Sequence, residues 1–156
     1  MISERGILLE VMLRALTKEN YQQCLQLQVK EDQQDFVASN VQSIADSKVY
    51  PDLIPQTIYH EDTMVGFLMY NSVPQDGVYW ILRLMIDRQH QGKGYARDAM
   101  LQLIELLKEH PGCTAIKISY EPANHGAEKL YESLGFQKTG EIVEGEVVAC
   151  LPVHLR

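Results

Sequence analysis

The sequence predicts an α/β protein whose mixed sheet is covered by helices on both faces. A long apolar run, Val78–Ile86, has the composition of a strand that is buried on both sides in the middle of a sheet. A glycine-rich turn and an amphipathic stretch follow it directly, which is the order strand, turn, helix. Hairpins are predicted before and after this unit, so the sheet combines parallel and antiparallel pairs.

The composition is typical of one soluble globular domain that spans residues 1–156. The chain is 46% hydrophobic and 22% charged, and no apolar run approaches the ~20 residues that cross a membrane. The net charge of −7 argues against a nucleic-acid partner, for which a basic patch is expected. Three widely spaced cysteines and the lack of a secretion signal favour the cytoplasm, and no Cys/His spacing indicates a metal site.

The N-terminal third predicts one strand and two helices. Apolar residues alternate with polar ones over residues 8–16, which indicates a first strand. Thr17 can cap a following helix that has Leu25 and Leu27 on its apolar side. A second helix is predicted over residues 33–44 because four apolar residues recur there at helical spacing: Phe36, Val37, Val41 and Ile44.

The rest of the chain predicts six further strands and two helices. A hairpin over residues 57–70 and a turn over 71–77 lead into Val78–Ile86. The amphipathic helix over residues 97–109 has an inward face, which consists of Ala96, Ala99, Met100, Leu103, Leu106 and Leu107. A short strand over residues 115–120 and a last helix, capped by Asn124 and ended by Gly135, follow. Two closing strands are joined by a turn at residues 143–146.

The glycine-rich turn after Val78–Ile86 is suited to binding an anion. Its glycines allow the backbone to approach a ligand, and the first N–H groups of the following helix have no partner within the helix. These groups and the positive end of the helix dipole attract phosphate. The spacing excludes a P-loop, since no Gly-Lys-Ser/Thr closes the turn, and it excludes the G-x-G-x-x-G dinucleotide pattern.

Two motifs in this order resemble the GNAT superfamily of N-acetyltransferases. The first motif, Gln/Arg-x-x-Gly-x-Gly/Ala, is met by Gln91, Gly94 and Ala96. The second is Asn124 followed by Leu-Tyr-x-x-x-Gly-Phe over residues 130–136. The resemblance is strong over residues 62–152 and looser before them. It implies a GNAT-like, mostly antiparallel mixed sheet of about six to seven strands with about four helices, splayed to hold acetyl-CoA.

The resemblance also implies which residues bind acetyl-CoA. The backbone of Leu84, Met85 and Ile86 is expected to bind the pantetheine arm. Asn124 is expected to contact the same arm, or only to cap its helix. Tyr131 is expected to protonate the leaving thiolate, since a phenol with a pKa of ~10 can donate a proton, although it could also be a core tyrosine. The pyrophosphate is expected on the turn made by Gln91, Gly92, Lys93, Gly94, Tyr95 and Ala96.

Several residues are candidates for the general base that accepts the proton of the attacking amine. Many peptide-directed members of the superfamily have a glutamate five residues before the asparagine, and Ser119 occupies that position here. Glu121 lies close to it and is the first candidate. Asp87, or a chain of water molecules ending at Glu31 or Glu121, is an alternative.

The acceptor is predicted from residues 27–40, which resemble the substrate side of bacterial spermine/spermidine and diamine acetyltransferases. This resemblance implies a polyamine or another small amine as acceptor, with negative charge from Glu31 and Asp35 and a ring surface from Phe36. Two alternatives remain: a GNAT enzyme for a protein N-terminus, an amino acid or an aminoglycoside, and a CoA-binding sensor without turnover. Analogy with the superfamily also suggests a homodimer that pairs through the C-terminal strands.

Overall fold

The computed structural model describes residues 10–153 and contains one seven-stranded sheet. The strands are β1 Met12–Ala15, β2 Leu53–His60, β3 Thr63–Asn71, β4 Val78–Ile86, β5 Ala115–Tyr120, β6 Gln137–Val143 and β7 Glu146–Pro152. Their order across the sheet is β1-β2-β3-β4-β5-β7-β6. Only β4 and β5 run parallel, and every other pair is antiparallel. This arrangement confirms the predicted mixed, mostly antiparallel sheet.

Four α-helices accompany the sheet: α1 Tyr21–Gln26, α2 Asn40–Val49, α3 Tyr95–Lys108 and α4 His125–Ser133. Short 3-10 turns occur at Glu31–Gln33 and Arg88–His90. Within residues 10–153, no helix combines the length and the apolar character that spanning a bilayer requires.

Two clusters of buried side chains hold the helices on opposite faces of the sheet. Neighbouring residues of β3 belong to different clusters, as expected from the alternation of side chains along a strand: Leu68 packs with α3 and α4, whereas Phe67 and Met69 pack with Cys24 of α1. The sheet is therefore the middle layer of three.

The strands β4 and β5 separate at their C-terminal ends. They pair only where Val78–Ile81 of β4 faces Ala115–Ile118 of β5. Beyond these residues β4 continues along β3, and β5 continues along β7. Because the two strands are parallel, both ends open at the same edge of the sheet and leave a space between them.

The predicted helix over residues 33–44 is correct only from Asn40 onward, and the helix continues beyond it to Val49. The structure has a 3-10 turn at Glu31–Gln33, an irregular segment over residues 34–39, and α2 only from Asn40 onward. Ser39 sets this start, because its hydroxyl accepts a hydrogen bond of 3.1 Å from the backbone N–H of Gln42. The apolar residues before Ser39 pack without helical structure, and Val37 packs against the cluster that contains Cys24 and Phe67.

Two smaller predictions also need correction. Thr17 does not cap α1; Asn20 precedes the helix and its Oδ1 accepts a hydrogen bond of 2.8 Å from the Thr17 N–H. Leu106 is 44% exposed, and Ile104 is buried in its place. Ile104 lies four residues after Met100 and continues the inward stripe of α3, from which Leu106 is rotated away.

The remaining predictions agree with the structure to within a few residues. The first strand is confirmed over Met12–Ala15, while residues 8 and 9 of that prediction lie outside the described residues. The hairpin of β2 and β3, the central strand β4, the helices α3 and α4, the strand β5 and the closing hairpin of β6 and β7 are all present.

Candidate functional site

A cleft of about 830 Å³ lies where β4 and β5 separate. One wall is the end of β4 and the turn that leads to α3. The opposite wall is the end of β5 and one side of α4, and a third wall is the segment between α1 and α2. The turn between β6 and β7 also reaches the cleft, so four separate parts of the chain converge on this space.

The end of β4 presents to the cleft a strand edge that no neighbouring strand covers. Leu84, Met85 and Ile86 all line it, and each is opposite a residue of β3 on the other edge of the strand. Peptide groups of an antiparallel strand point alternately to its two edges, so those not bonded to β3 face the cleft. An extended ligand with amide groups can pair with this edge as a further strand would.

The turn before α3 has the geometry of an anion site. Gly92 and Gly94 have positive φ angles of 78° and 84°, and a Cβ on either would meet no atom within 4 Å. Gly94 precedes Tyr95, the first residue of α3, and offers no side chain to cap the first N–H groups of the helix. Backbone donors therefore face open space, which fits the pyrophosphate that the sequence predicts there.

The charged residues around this turn differ from the prediction. Lys93 is exposed and does not line the cleft. Arg97, which the sequence analysis missed, lines it from the first turn of α3 and donates a hydrogen bond of 2.7 Å from Nη1 to the Ser133 hydroxyl. Its place in the first turn of an amphipathic helix is the sequence signal that could have indicated it.

Asn124 caps α4 and also lines the cleft. Its Oδ1 accepts a hydrogen bond of 3.2 Å from the Ala127 N–H, as a helix cap does. Its amide nitrogen donates no hydrogen bond to any residue between 10 and 153. Asn124 can therefore cap α4 and contact the coenzyme arm at the same time, because different atoms of its amide group make the two contacts.

Tyr131 lies on α4 with its ring in the core and one end at the cleft. The residue is 6% exposed, and its ring packs against Tyr120 and Phe136 at centroid distances of 5.7 and 5.9 Å. Within the described part of the chain its hydroxyl makes no hydrogen bond. Burial raises the pKa of Tyr131, and the nearby Glu146 carboxylate and Tyr120 raise it further. The phenol therefore keeps its proton at neutral pH.

The cleft wall contains four carboxylates among the described residues: Asp35, Glu121, Glu144 and Glu146. None of them is within 4.0 Å of a Lys, Arg or His nitrogen in residues 10–153. Phe36 lines the same cleft, whereas Glu31 lies on an exposed turn and does not. Among the described residues, no group of three Cys, His, Asp or Glu side chains is arranged to hold a metal ion.

Glu144 and Glu146 were not predicted from the sequence as residues of the cleft. They belong to a hairpin turn that looks ordinary in sequence, and only the pairing of β7 with β5 brings them to the cleft. Glu146 is held in place there, because the Ser119 hydroxyl donates a hydrogen bond of 2.7 Å to its Oε1.

Asp87, an alternative candidate for the base, has a structural role. Its Oδ1 accepts a hydrogen bond of 2.9 Å from the Gln28 N–H, and its Oδ2 accepts one of 3.3 Å from the Gln89 N–H. The Arg88 N–H also donates to the Gln28 carbonyl at 2.7 Å. These bonds join the segment after α1 to the segment after β4.

The chain is similar to known proteins in both sequence and fold. Residues 11–136 match the Acetyltransferase (GNAT) family. A spermine/spermidine N(1)-acetyltransferase of Bacillus subtilis (strain 168) is 31% identical over 140 residues, which cover 86% of this chain and 92% of the relative.

Two solved structures illustrate the likeness in fold. A spermidine N-acetyltransferase from Vibrio cholerae, in complex with CoA and spermine, has a TM-score of 0.73 at 16% identity, over 92% of this chain and 96% of that one. The PaiA N-acetyltransferase from Thermoplasma acidophilum, in complex with coenzyme A, has a TM-score of 0.70 at 13% identity, over 91% and 98% of the two chains. At sequence identities of 16% and 13%, these two structures support a similarity in fold alone.

Proposed function

The chain belongs to the GNAT family of acetyl-CoA-dependent N-acetyltransferases, and we propose that its acceptor is a polyamine such as spermine or spermidine, or another small cationic amine. The observation that carries this proposal is the set of unpaired carboxylates in the wall of the cleft. Each contact between an ammonium and a carboxylate contributes ~0.5–2 kcal/mol, depending on burial, so several of them favour a polycation.

The basic residues of the cleft are consistent with this acceptor. Arg97 and His90 flank the turn that suits pyrophosphate. Arg83 is already paired with Asp46 at 3.6 Å. The carboxylates in the other walls of the cleft are therefore available to bind a cation. The relative from Bacillus subtilis, named for spermine and spermidine, supports the same acceptor class.

The cleft also has room for the methylene segments of a linear amine. Phe36 and Val29 contribute apolar surface to it. A smaller cavity of about 330 Å³ lies beside the cleft and has Val29, Val37, Ala38 and Met85 in common with it. Apolar walls beside carboxylates match the alternation of methylenes and ammonium groups in a polyamine.

Acetyl-CoA supplies the acetyl group as a thioester, and the chain's residues bind and orient it. We assign the pantetheine arm to the free edge at Leu84–Ile86 and to the Asn124 amide, and the pyrophosphate to the turn over residues 91–96. A backbone N–H near Met85 or Ile86 donates to the oxyanion that develops during attack. Tyr131 donates its proton to the sulfur, and Glu121 is a candidate to accept the proton of the amine, directly or through water.

The test is release of free thiol from acetyl-CoA across a panel of acceptors. The panel contains spermine, spermidine, putrescine, amino acids, an aminoglycoside and short peptides. Butylamine is the matched control for putrescine, because it offers the same reacting group without the second ammonium. We expect the highest kcat/KM for spermine or spermidine, and a lower value for butylamine than for putrescine.

Other outcomes separate the alternatives. A preference for a peptide, an amino acid or an aminoglycoside would refute the polyamine acceptor and leave the acetyltransferase standing. No thiol release with any acceptor, together with measurable binding of acetyl-CoA, would favour a sensor without turnover.

A further inference from the structure

We propose that Glu146, held by Ser119, is the carboxylate that binds the reacting ammonium of the acceptor and takes its proton. This inference rests on the proposed function, since it assumes that the acceptor is a cationic amine. It makes Glu146 a catalytic residue and Ser119 a positioning residue.

Sheet geometry brings the two side chains together. β5 and β7 are antiparallel, and Ser119 is directly opposite Val148. Glu146 lies two residues from Val148 along β7, so its side chain emerges on the same face of the sheet as that of Ser119. Diagonal neighbours of this kind are within reach of a long side chain such as glutamate.

The hydrogen bond from Ser119 orients the carboxylate. The hydroxyl donates to Oε1 at 2.7 Å, and within residues 10–153 the other oxygen, Oε2, accepts no hydrogen bond. A half-buried carboxylate with one fixed oxygen and one free oxygen is prepared to accept an N–H of the acceptor. No Lys, Arg or His of the described chain lies within 4.0 Å to neutralise it.

The same carboxylate lines the cleft together with the proposed proton donor. The charge of Glu146 is the second cause, after burial, of the raised pKa of Tyr131, so the two side chains interact electrostatically. During acetyl transfer, the attacking nitrogen and the leaving sulfur are on different sides of the carbonyl carbon. The group that protonates the sulfur and the group that binds the nitrogen must therefore also lie on different sides of this carbon. Tyr131 and Glu146 are on different elements, α4 and β7, that line one cleft.

The other carboxylates of the cleft meet fewer of these conditions. Asp35 and Glu144 are exposed. Glu121 is half-buried, but it accepts no side-chain hydrogen bond within the described residues and does not contribute to the pKa shift of Tyr131. Among the four, only Glu146 is both oriented by a neighbour and coupled to Tyr131. Glu121 then contributes negative charge instead of accepting the proton.

The proton balance of the step is complete without a further reactant. The ammonium gives one proton to Glu146, which releases it to solvent. The freed lone pair forms the N–C bond while the carbonyl π pair moves to oxygen as an oxyanion. When the carbonyl re-forms, the C–S bond breaks and Tyr131 gives its proton to the sulfur. The second proton that leaves the nitrogen restores the Tyr131 phenol. The products are the acetylated amine, free CoA and one proton in solution.

Five variants of the protein test the inference with spermine, or with the best amine of the panel. Glu146→Gln keeps the shape of the side chain and removes its charge. We expect kcat/KM to fall by roughly 10²-fold or more, as for loss of a general base. Calorimetry of the complex with CoA should show weaker amine binding. Glu121→Gln should reduce kcat/KM by less than Glu146→Gln does.

Two substitutions of Ser119, and one of a control residue on the β6–β7 hairpin that carries Glu146, complete the set of variants. Ser119→Ala should lower kcat/KM by about 10-fold, and Ser119→Thr, which retains the hydroxyl, should restore it. Glu141→Gln removes a carboxylate of β6 that pairs with Lys117 at 3.2 Å outside the cleft, and should leave kinetics unchanged.

The outcomes distinguish this inference from the proposed function. If the wild type acetylates spermine and Glu146→Gln does so equally well, Glu146 has no catalytic role and the acceptor assignment still holds. If Ser119→Thr fails to rescue activity while it folds normally, the hydroxyl does not position the carboxylate. If the wild type prefers a peptide, an amino acid or an aminoglycoside, the proposed function itself fails.

Discussion

The side-chain amides of Gln33 and Gln91 form a reciprocal pair across the mouth of the cleft. Gln91 Nε2 donates to Gln33 Oε1 at 2.8 Å, and Gln33 Nε2 donates to Gln91 Oε1 at 3.2 Å. Gln91 Nε2 also donates to the Ile86 carbonyl at 2.9 Å. The pair joins the turn after α1, on the acceptor side, to the turn that we assign to the pyrophosphate.

Loss of this pair should weaken acceptor binding. Gln33→Ala removes both amide bonds, and also the acceptor of the Lys30 N–H at 3.1 Å. Because each such bond contributes about 1 kcal/mol, we expect the KM for the amine to rise about 3–10-fold with little change in kcat. Steady-state kinetics with varied amine at saturating acetyl-CoA measure this KM. Gln23→Ala, at an exposed position of α1, is the control, and equal KM values in both variants would contradict the prediction.

Tyr131→Phe should abolish most turnover without affecting the fold. The hydroxyl makes no hydrogen bond among residues 10–153, so its loss leaves no buried partner unsatisfied. We expect kcat to fall by roughly 10²–10⁴-fold while CoA binds with unchanged affinity in calorimetry. Tyr79→Phe, at another buried tyrosine, is the matched control. A Tyr131→Phe enzyme with wild-type turnover would remove the phenol from the mechanism.

Gly94→Ala should weaken acetyl-CoA binding specifically. A Cβ at this position enters the open space before α3, and the φ of +84° costs a non-glycine residue about 1–2 kcal/mol. Gly140→Ala imposes the same kind of strain at φ +89° on β6, away from the cleft. Both variants should lose similar thermal stability, but only Gly94→Ala should raise the KM for acetyl-CoA, by about 10-fold. A rise of the same size in Gly140→Ala would show that the effect is one of general stability.

Cys24 should make the protein less stable at alkaline pH. Burial raises the pKa of its thiol from 9.0 to about 11. Between these values the unfolded chain releases a proton that the folded chain retains, so the free energy of unfolding falls as pH rises. The contribution is fully present below about pH 9 and is lost as pH rises towards about 11.

Urea unfolding at about pH 8 and about pH 10.5 measures this effect. Cys24→Ala should show a smaller loss of stability between the two pH values than the wild type. Val148→Ala, which also truncates a fully buried side chain but removes no thiol, should keep the wild-type difference. An unchanged difference in Cys24→Ala would mean that other groups cause the alkaline instability.

The sequence determined most of the local structure, including the elements that we assign to the coenzyme. The apolar run of β4, the helical stripe of α3, the Asn124 cap and the glycine-rich turn each depend on residues that are close in the chain. For this reason their bounds were predicted to within a few residues. Residues 33–39 are the exception, because the helical spacing of apolar residues began there without a helix and the Ser39 cap was not recognised.

Only the tertiary structure decided which side chains share the acceptor side of the cleft. Glu146 meets Ser119 because β7 lies between β5 and β6, and Gln33 meets Gln91 although 58 residues separate them. Such meetings depend on the order of strands in the sheet and on the space left where β4 and β5 separate. These are properties of long-range packing, which no local pattern of residues specifies.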